Sequence, residues 1–263
     1  MRIPSIDLLG GALVSANASP LPQSETAVPI NHFARITGVF FSPKATFAEI
    51  VAAPSWIVPL VVLTLFSLIA CIALNQRMDW RQFMSQQIEK SPRAANMSAE
   101  QKDQQIEGGV KMAPIFTYVF GVPAPAILIL LIAAVDLAAF NLLAGANVNF
   151  STSLAIVSHA FLATIVSTAI FLLVLFLKPR GTFDLDNPVA ANLGVLVPED
   201  APKWLMKLGT SIDIFTFWIL ILIAIGFAAA NPRKLKFSNA FGIVFGIWVV
   251  FVVVRVGWAF IFS

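Results

Sequence analysis

LAIVSHAFLATIVSTAIFLLVLFL, running from Leu154 to Leu177, decides the class of this protein. It carries no Asp, Glu, Lys or Arg and is closed by Lys178, Pro179 and Arg180. As a helix it covers roughly 36 Å, more than the roughly 30 Å of a bilayer's hydrocarbon core. A barrel strand would alternate apolar and polar residues with a period of two, and this stretch does not. A helix satisfies its own backbone in lipid, so the stretch reads as a transmembrane helix.

Four more apolar windows lie around it. Residues 57–74 begin beside Trp56 and Pro59 and end at Asn75, Gln76 and Arg77. Residues 115–143 follow Pro114 and are interrupted by Pro123 and Pro125. Residues 212–230 stop at Asn231, Pro232, Arg233 and Lys234, and 241–262 form the last window. With 154–177 they predict an all-α membrane protein, a bundle of five transmembrane helices. The whole composition agrees. Of 263 residues, 58% are hydrophobic and 12% charged, about half the charge of an average soluble domain. Mean hydropathy is +0.85, and a soluble globule of this size has no interior large enough for so much apolar surface.

Other classes drop out on the same numbers. The formal charge of +3 comes without a long basic run, so nucleic acid has no footprint here. Cys71 is the single cysteine, which removes a disulfide framework and a cysteine zinc site. His32 and His159 are far apart, so no metal site and no cofactor are expected. There is no Gly-x-Ser-x-Gly elbow, no His-Glu-x-x-His and no phosphate-binding glycine loop, so no catalytic residue is assigned and no enzyme is expected.

Residues 1–32 mix Pro, Ser, Ala, Asn and Gln and read as a mobile tail. An Ala-Asn-Ala there resembles a signal-peptidase site. Its charged start is Arg2 alone, and Asp7 with two glycines breaks the apolar core, against a cleaved signal. The membrane domain is expected over 33–263. It opens with a short helix: Ser42 is placed to cap it, Pro43 suits its first turn and Pro54 stops it. Phe47, Ile50 and Val51 share one face, with Lys44 and Glu49 away from it. Too short to cross, this helix is expected to lie at the bilayer surface, although packing on the protein itself is a near alternative. Between the first two windows, a helix is expected from Trp80 and a second from Ser98, where Gln101 completes a capping box and the helix continues towards the membrane.

Ionisable residues inside spans are costly and are functional candidates by default. Asp136 and His159 flank the short connection 144–153 and are expected to share a leaflet and to pair. Asp213, opening the fourth window, is expected opposite Arg255. For the first pair the alternatives are a hydrogen-bonded pin between helices and a proton or ion relay, and the pin is favoured because a relay needs several groups in line. For the second, Arg255 has the option of snorkelling to the interface while Asp213 acts on its own helix dipole. Gly242 and Gly246 form a Gly-x-x-x-Gly pair suited to close helix packing.

Four stretches carry a resemblance: RITGVFFSPK at 35–44, PSWIVPL at 54–60, LLAGANVNFS at 142–151 and SIDIFTFW at 211–218. In order and spacing the chain resembles the bacterial branch of the Yip family, the five-span proteins named for Ypt/Rab-interacting proteins. The Asp-Leu-Tyr-Gly-Pro stretch of eukaryotic members has no equivalent here, so a Rab-type role is not implied. The resemblance implies a non-enzymatic accessory or scaffold protein of the bacterial inner membrane. Its implied partners are the bilayer, other integral membrane proteins such as a MacB-type ABC exporter with its adaptor, or a second copy of itself. A small transporter or channel using Asp136 and His159 is the alternative. The resemblance also places the N-terminus in the cytoplasm, whereas the Lys and Arg count leans the other way, with the larger share in the first and third connections.

Overall fold

The computed structural model describes residues 31–262 apart from 90, 181, 182, 184, 186 and 199. The expected tail lies outside the described residues as far as residue 30, as does the Ala-Asn-Ala site. The described chain is helical, with one isolated bridge, Asn192 to Asp213.

Two ten-residue helices come first, α1 (His32–Phe41) and α2 (Pro43–Ala52). Asn31 starts α1 by accepting the Ala34 N–H at 3.0 Å. Ser42 makes no side-chain cap; its carbonyl instead accepts the Thr46 hydroxyl at 3.0 Å, and Pro43 sets the first turn. The two helices pack as a hairpin because Gly38 lets Thr46 lie directly on it: a Cβ there would overlap the Thr46 Oγ1.

Helix α3 (Ile57–Arg77) leads into α4 (Trp80–Glu89), a 3-10 turn (Pro92–Asn96) and α5 (Ala99–Gly121). The expected capping box is present: Ser98 Oγ accepts the Gln101 N–H at 3.2 Å, and Gln101 Oε1 accepts the Ser98 N–H at 2.9 Å. Helix α5 runs on through Pro114 and returns beside α3, where Ser67 donates to the Gly121 carbonyl at 2.7 Å. The window 115–143 is therefore not one helix. The chain breaks at Val122 and Pro123, and α6 begins afterwards (Ala124–Ala144).

The quoted stretch becomes α7 (Phe150–Ala160), a 3-10 turn (Phe161–Ala163) and α8 (Thr164–Leu177). Another 3-10 turn (Leu193–Leu196), α9 (Lys203–Ser211), α10 (Ile214–Ala230) and α11 (Phe237–Phe262) complete the fold. Among the described residues, four helical stretches are long and apolar enough to cross a membrane: Ile57–Arg77, Ala124–Ala144, Phe150–Leu177 and Phe237–Ile261. Helix α10 has 17 residues, about 26 Å at helical rise. It is shorter than the expected window because Asp213 caps it and fixes its start at Ile214.

Every residue of α7 from Thr152 to Ala160 is buried, so α7 is the axis of the bundle. Around it stand α6, α10, α2 and part of α3. Phe140 of α6 and Phe227 of α10 stack face to face at 3.9 Å between ring centroids. Outward-facing residues such as Leu131 and Val135 of α6, Phe176 of α8 and Phe251 of α11 are exposed and apolar. An apolar surface on long helices is what a lipid solvent selects.

The surface helix needs correction. Phe47 and Ile50 are fully buried, and Val51 packs on the same core. They face α10 and α7, not a bilayer surface. Gly226 of α10 makes the seat: its missing side chain leaves room for Phe47 Cδ1 and for Ile156 of α7. An apolar face is equally well satisfied by protein, and here a glycine opens the place for it.

Candidate functional site: polar groups inside the bundle

On α6 the residues Ile129, Ala133, Asp136 and Phe140 share one buried face, as spacings of three and four residues dictate. Asp136 is therefore carried inward, 2% exposed, and among the described residues its Oδ2 has no hydrogen-bond partner. His159 is 1% exposed, and its Nδ1 lies 2.8 Å from the Ala155 carbonyl one turn back. A carbonyl only accepts, so this contact places the ring proton on Nδ1.

Among the described residues no hydrogen bond or ion pair joins Asp136 to His159. The reason is a stagger between α6 and α7. Asn141 holds Val148 in both directions, its amide donating to the Val148 carbonyl and accepting the Val148 N–H, each at 2.9 Å. The connection thus folds back along the end of α6. Ser153, in the first turn of α7, then donates to the Ala133 carbonyl at 2.7 Å, about three turns before α6 ends. Asp136 consequently stands beside the first turn of α7, while His159 lies two turns further on.

Arg35 is the buried charge that the sequence reading left without a role. It is 5% exposed. Its Nη1 donates to the Ala53 carbonyl at 2.8 Å and to Ser55 Oγ at 3.1 Å, and its Nη2 donates to the Glu49 carbonyl at 2.9 Å. Glu49 lies in the last turn of α2, where its carbonyl also accepts the Ala53 N–H at 3.1 Å, and Ala53 is the residue that ends the helix. A cation there also complements the helix dipole. Arg35 fell within a stretch carrying the family resemblance, and its four-residue spacing from Val39, also buried, was the available signal.

Among the described residues no hydrogen bond or ion pair joins Asp213 to Arg255. Asp213 caps α10, its Oδ1 accepting the Phe215 and Thr216 N–H groups, each at 2.9 Å. Arg255 reaches the end of α9 instead, donating to Ser211 Oγ at 2.8 Å and Thr210 Oγ1 at 3.4 Å. At the opposite end of α10, Asn231 donates to the Ala146 carbonyl at 3.0 Å and Lys234 to the Gly145 carbonyl at 3.1 Å. Gly242 and Gly246 are exposed on α11, and among the described residues no atom lies within 4 Å of where a Cβ would stand and no helix packs on them. Among the described residues no group of three His, Cys, Asp or Glu is placed to hold a metal.

Long helices with apolar outward faces around a buried helix define an integral membrane protein. The family model of the Yip1 domain matches residues 37–258. The chain therefore belongs to the Yip1 domain family. No curated protein matches it, and no solved structure does.

Proposed function

We propose that this protein is a non-enzymatic accessory or scaffold protein that binds other membrane proteins, with an ABC-type exporter of the MacB kind and its adaptor as the expected partner. We place it in the bacterial inner membrane with five crossings, the fifth contributed by α10, and with its N-terminus in the cytoplasm. The observation that carries this reading is how two arginines are used, Arg35 buried and Arg255 half-buried. Arg35 fastens the end of α2 and Arg255 fastens the end of α9. Ionisable groups in a membrane normally mark a pathway for ions or substrate, whereas both of these join one helix to another.

The second support is the α4–α5 hairpin. It carries both signs of charge, with Arg81 and Asp103 bridged at 3.5 Å on an exposed surface. Such a rim charge pair adds little stability, and mixed charges on an exposed helical hairpin suit recognition of a partner. The test is a crosslinked pull-down from native membranes in mild detergent. Reproducible recovery of an exporter subunit supports the scaffold; recovery of bilayer lipid alone removes it.

One observation favours the alternative, a small transporter or channel: the unpartnered Oδ2 of buried Asp136. Flux through the isolated protein in liposomes, lost in Asp136→Asn, would establish that reading instead.

A further inference from the structure

The 3-10 turn Leu193–Leu196 points apolar side chains outward: Leu193, Val195 and Leu196 are exposed, Leu196 by 76%. The turn itself is firmly seated. On either side of the Asn192–Asp213 bridge, the Leu193 N–H donates to the Ile212 carbonyl at 3.1 Å and the Ile214 N–H to the Ala191 carbonyl at 3.3 Å. Gly194 is buried against Gly209 of α9, where a Cβ would stand 3.0 Å from the Gly194 Cα. The Gly194 N–H donates to Asn192 Oδ1 at 2.9 Å and the Val197 N–H to the Gly194 carbonyl at 3.2 Å. Non-helical backbone is tolerated at membrane depth where it is paired and packed on protein, as here.

The neighbouring helices fix the depth of the turn. Its bridge ties it to the start of α10, where Ile214 is also exposed. Arg255 marks the same level on α11, since it donates to Ser211 and Thr210 just ahead of that start. From Arg255 the last helix runs on to Phe262, about 10 Å further at helical rise. Trp258, Phe260 and Ile261 are exposed along that length, on a helix long and apolar enough to cross a membrane. Trp204 and Leu208 of α9 share an apolar groove with Val252, Val256 and Phe260, so α9 lies along these last turns of α11. Lipid that covers the end of α11 therefore covers the turn as well.

We propose that the turn Leu193–Leu196 and α9 form a wedge set into the bilayer, with Leu193, Val195 and Leu196 among the acyl chains of the leaflet around the C-terminal end of α11. The depth is about 5–10 Å, that of an interfacial element. Asp200 and Lys203, both exposed between the turn and α9, lie towards the head groups.

The test uses the full-length protein with Cys71→Ser, alone in phosphatidylcholine liposomes. Spin labels are placed singly at Val195 and Leu196, with Phe251 as the lipid reference and Gln104 as the water reference. Collision with lipid-soluble oxygen is compared with collision with a water-soluble nickel chelate. Val195 and Leu196 are expected to resemble Phe251, with an oxygen-to-nickel ratio several-fold above that of Gln104. Leu196→Asp should draw the turn towards water and lower the ratio at Val195. If that variant fails to fold, the two labels in the Cys71→Ser protein decide. Ratios like that of Gln104 overturn the proposal, because the turn would be an aqueous loop. Shielding from both reagents overturns it too, because a second copy of the chain would then be the cover. A wet Phe251 removes its basis, since α11 would not be in lipid.

Discussion

Gly226→Ala should destabilise the protein out of proportion to its one added methyl. The new Cβ would overlap Ile156 Cγ2, meet Phe47 Cδ1 at 3.0 Å and meet Ile156 Cγ1 at 3.2 Å. Neither neighbour has room to yield, since Phe47 and Ile156 are both fully buried. Overpacking a dense core costs typically 1–3 kcal/mol, and three close contacts at one atom argue for the upper half, about 2–3 kcal/mol. Gly242→Ala and Gly246→Ala add the same methyl where nothing lies within 4 Å, and they should change stability by less than about 0.5 kcal/mol. The assay is reversible unfolding in detergent, with a cycle against Ile156. Ile156→Ala removes both clashing carbons, so the double variant should be more stable than additivity predicts, with a coupling of about 1 kcal/mol or more. Ile156→Val keeps both branches at Cβ and should not rescue. A Gly226→Ala protein as stable as the parent, or rescue by Val equal to rescue by Ala, would refute the packing of α2 on α10 and α7.

Other predictions follow the polar groups. Arg35→Met leaves the Ala53 carbonyl without this donor and the Glu49 carbonyl with the Ala53 N–H alone, and should cost about 2–3 kcal/mol in the same unfolding assay, since hydrogen bonds to charged groups contribute about 1.5–3 kcal/mol. Asp136→Asn combined with His159→Gln should be additive within about 0.5 kcal/mol; a larger coupling in the cycle would mean that the two side chains meet. Asn141→Leu removes both bonds to Val148 and should cost about 1–3 kcal/mol in melting experiments, because the Val148 groups are left unsatisfied. In a Cys71→Ser background, impermeant thiol reagent should label cysteines placed at Gln104 and at Ser238 from opposite sides of the membrane. Labelling of both from one side would contradict five crossings.

Hydropathy is a local property, and for that reason the long helices were legible. The stretch ending at Leu177, the α3 window and α11 need no neighbours to be recognised, and the capping box at Ser98 and Gln101 is likewise local. Pairings between helices were not legible. The stagger that separates Asp136 from His159 is set by Asn141 reaching Val148, a contact that span lengths do not encode. Whether Phe47 and Ile50 face lipid or protein depends on Gly226, which lies far away in the chain and has no motif. The Gly242 and Gly246 spacing is the opposite case, a packing pattern on a face that no helix covers among the described residues. Pro123 was visible as an interruption, but that α5 would end there and α6 start anew depended on the α3 contact through Ser67.

The central claim is that the protein works by holding a protein partner. Photocrosslinking in native membranes from Gln104 on the exposed α4–α5 hairpin and from Gly242 on the bare face of α11 tests it most directly. The account predicts a discrete adduct with one integral membrane protein from at least one of these positions, abolished when that protein is deleted. Lipid adducts alone from both positions, together with flux through the purified protein in liposomes, would contradict it.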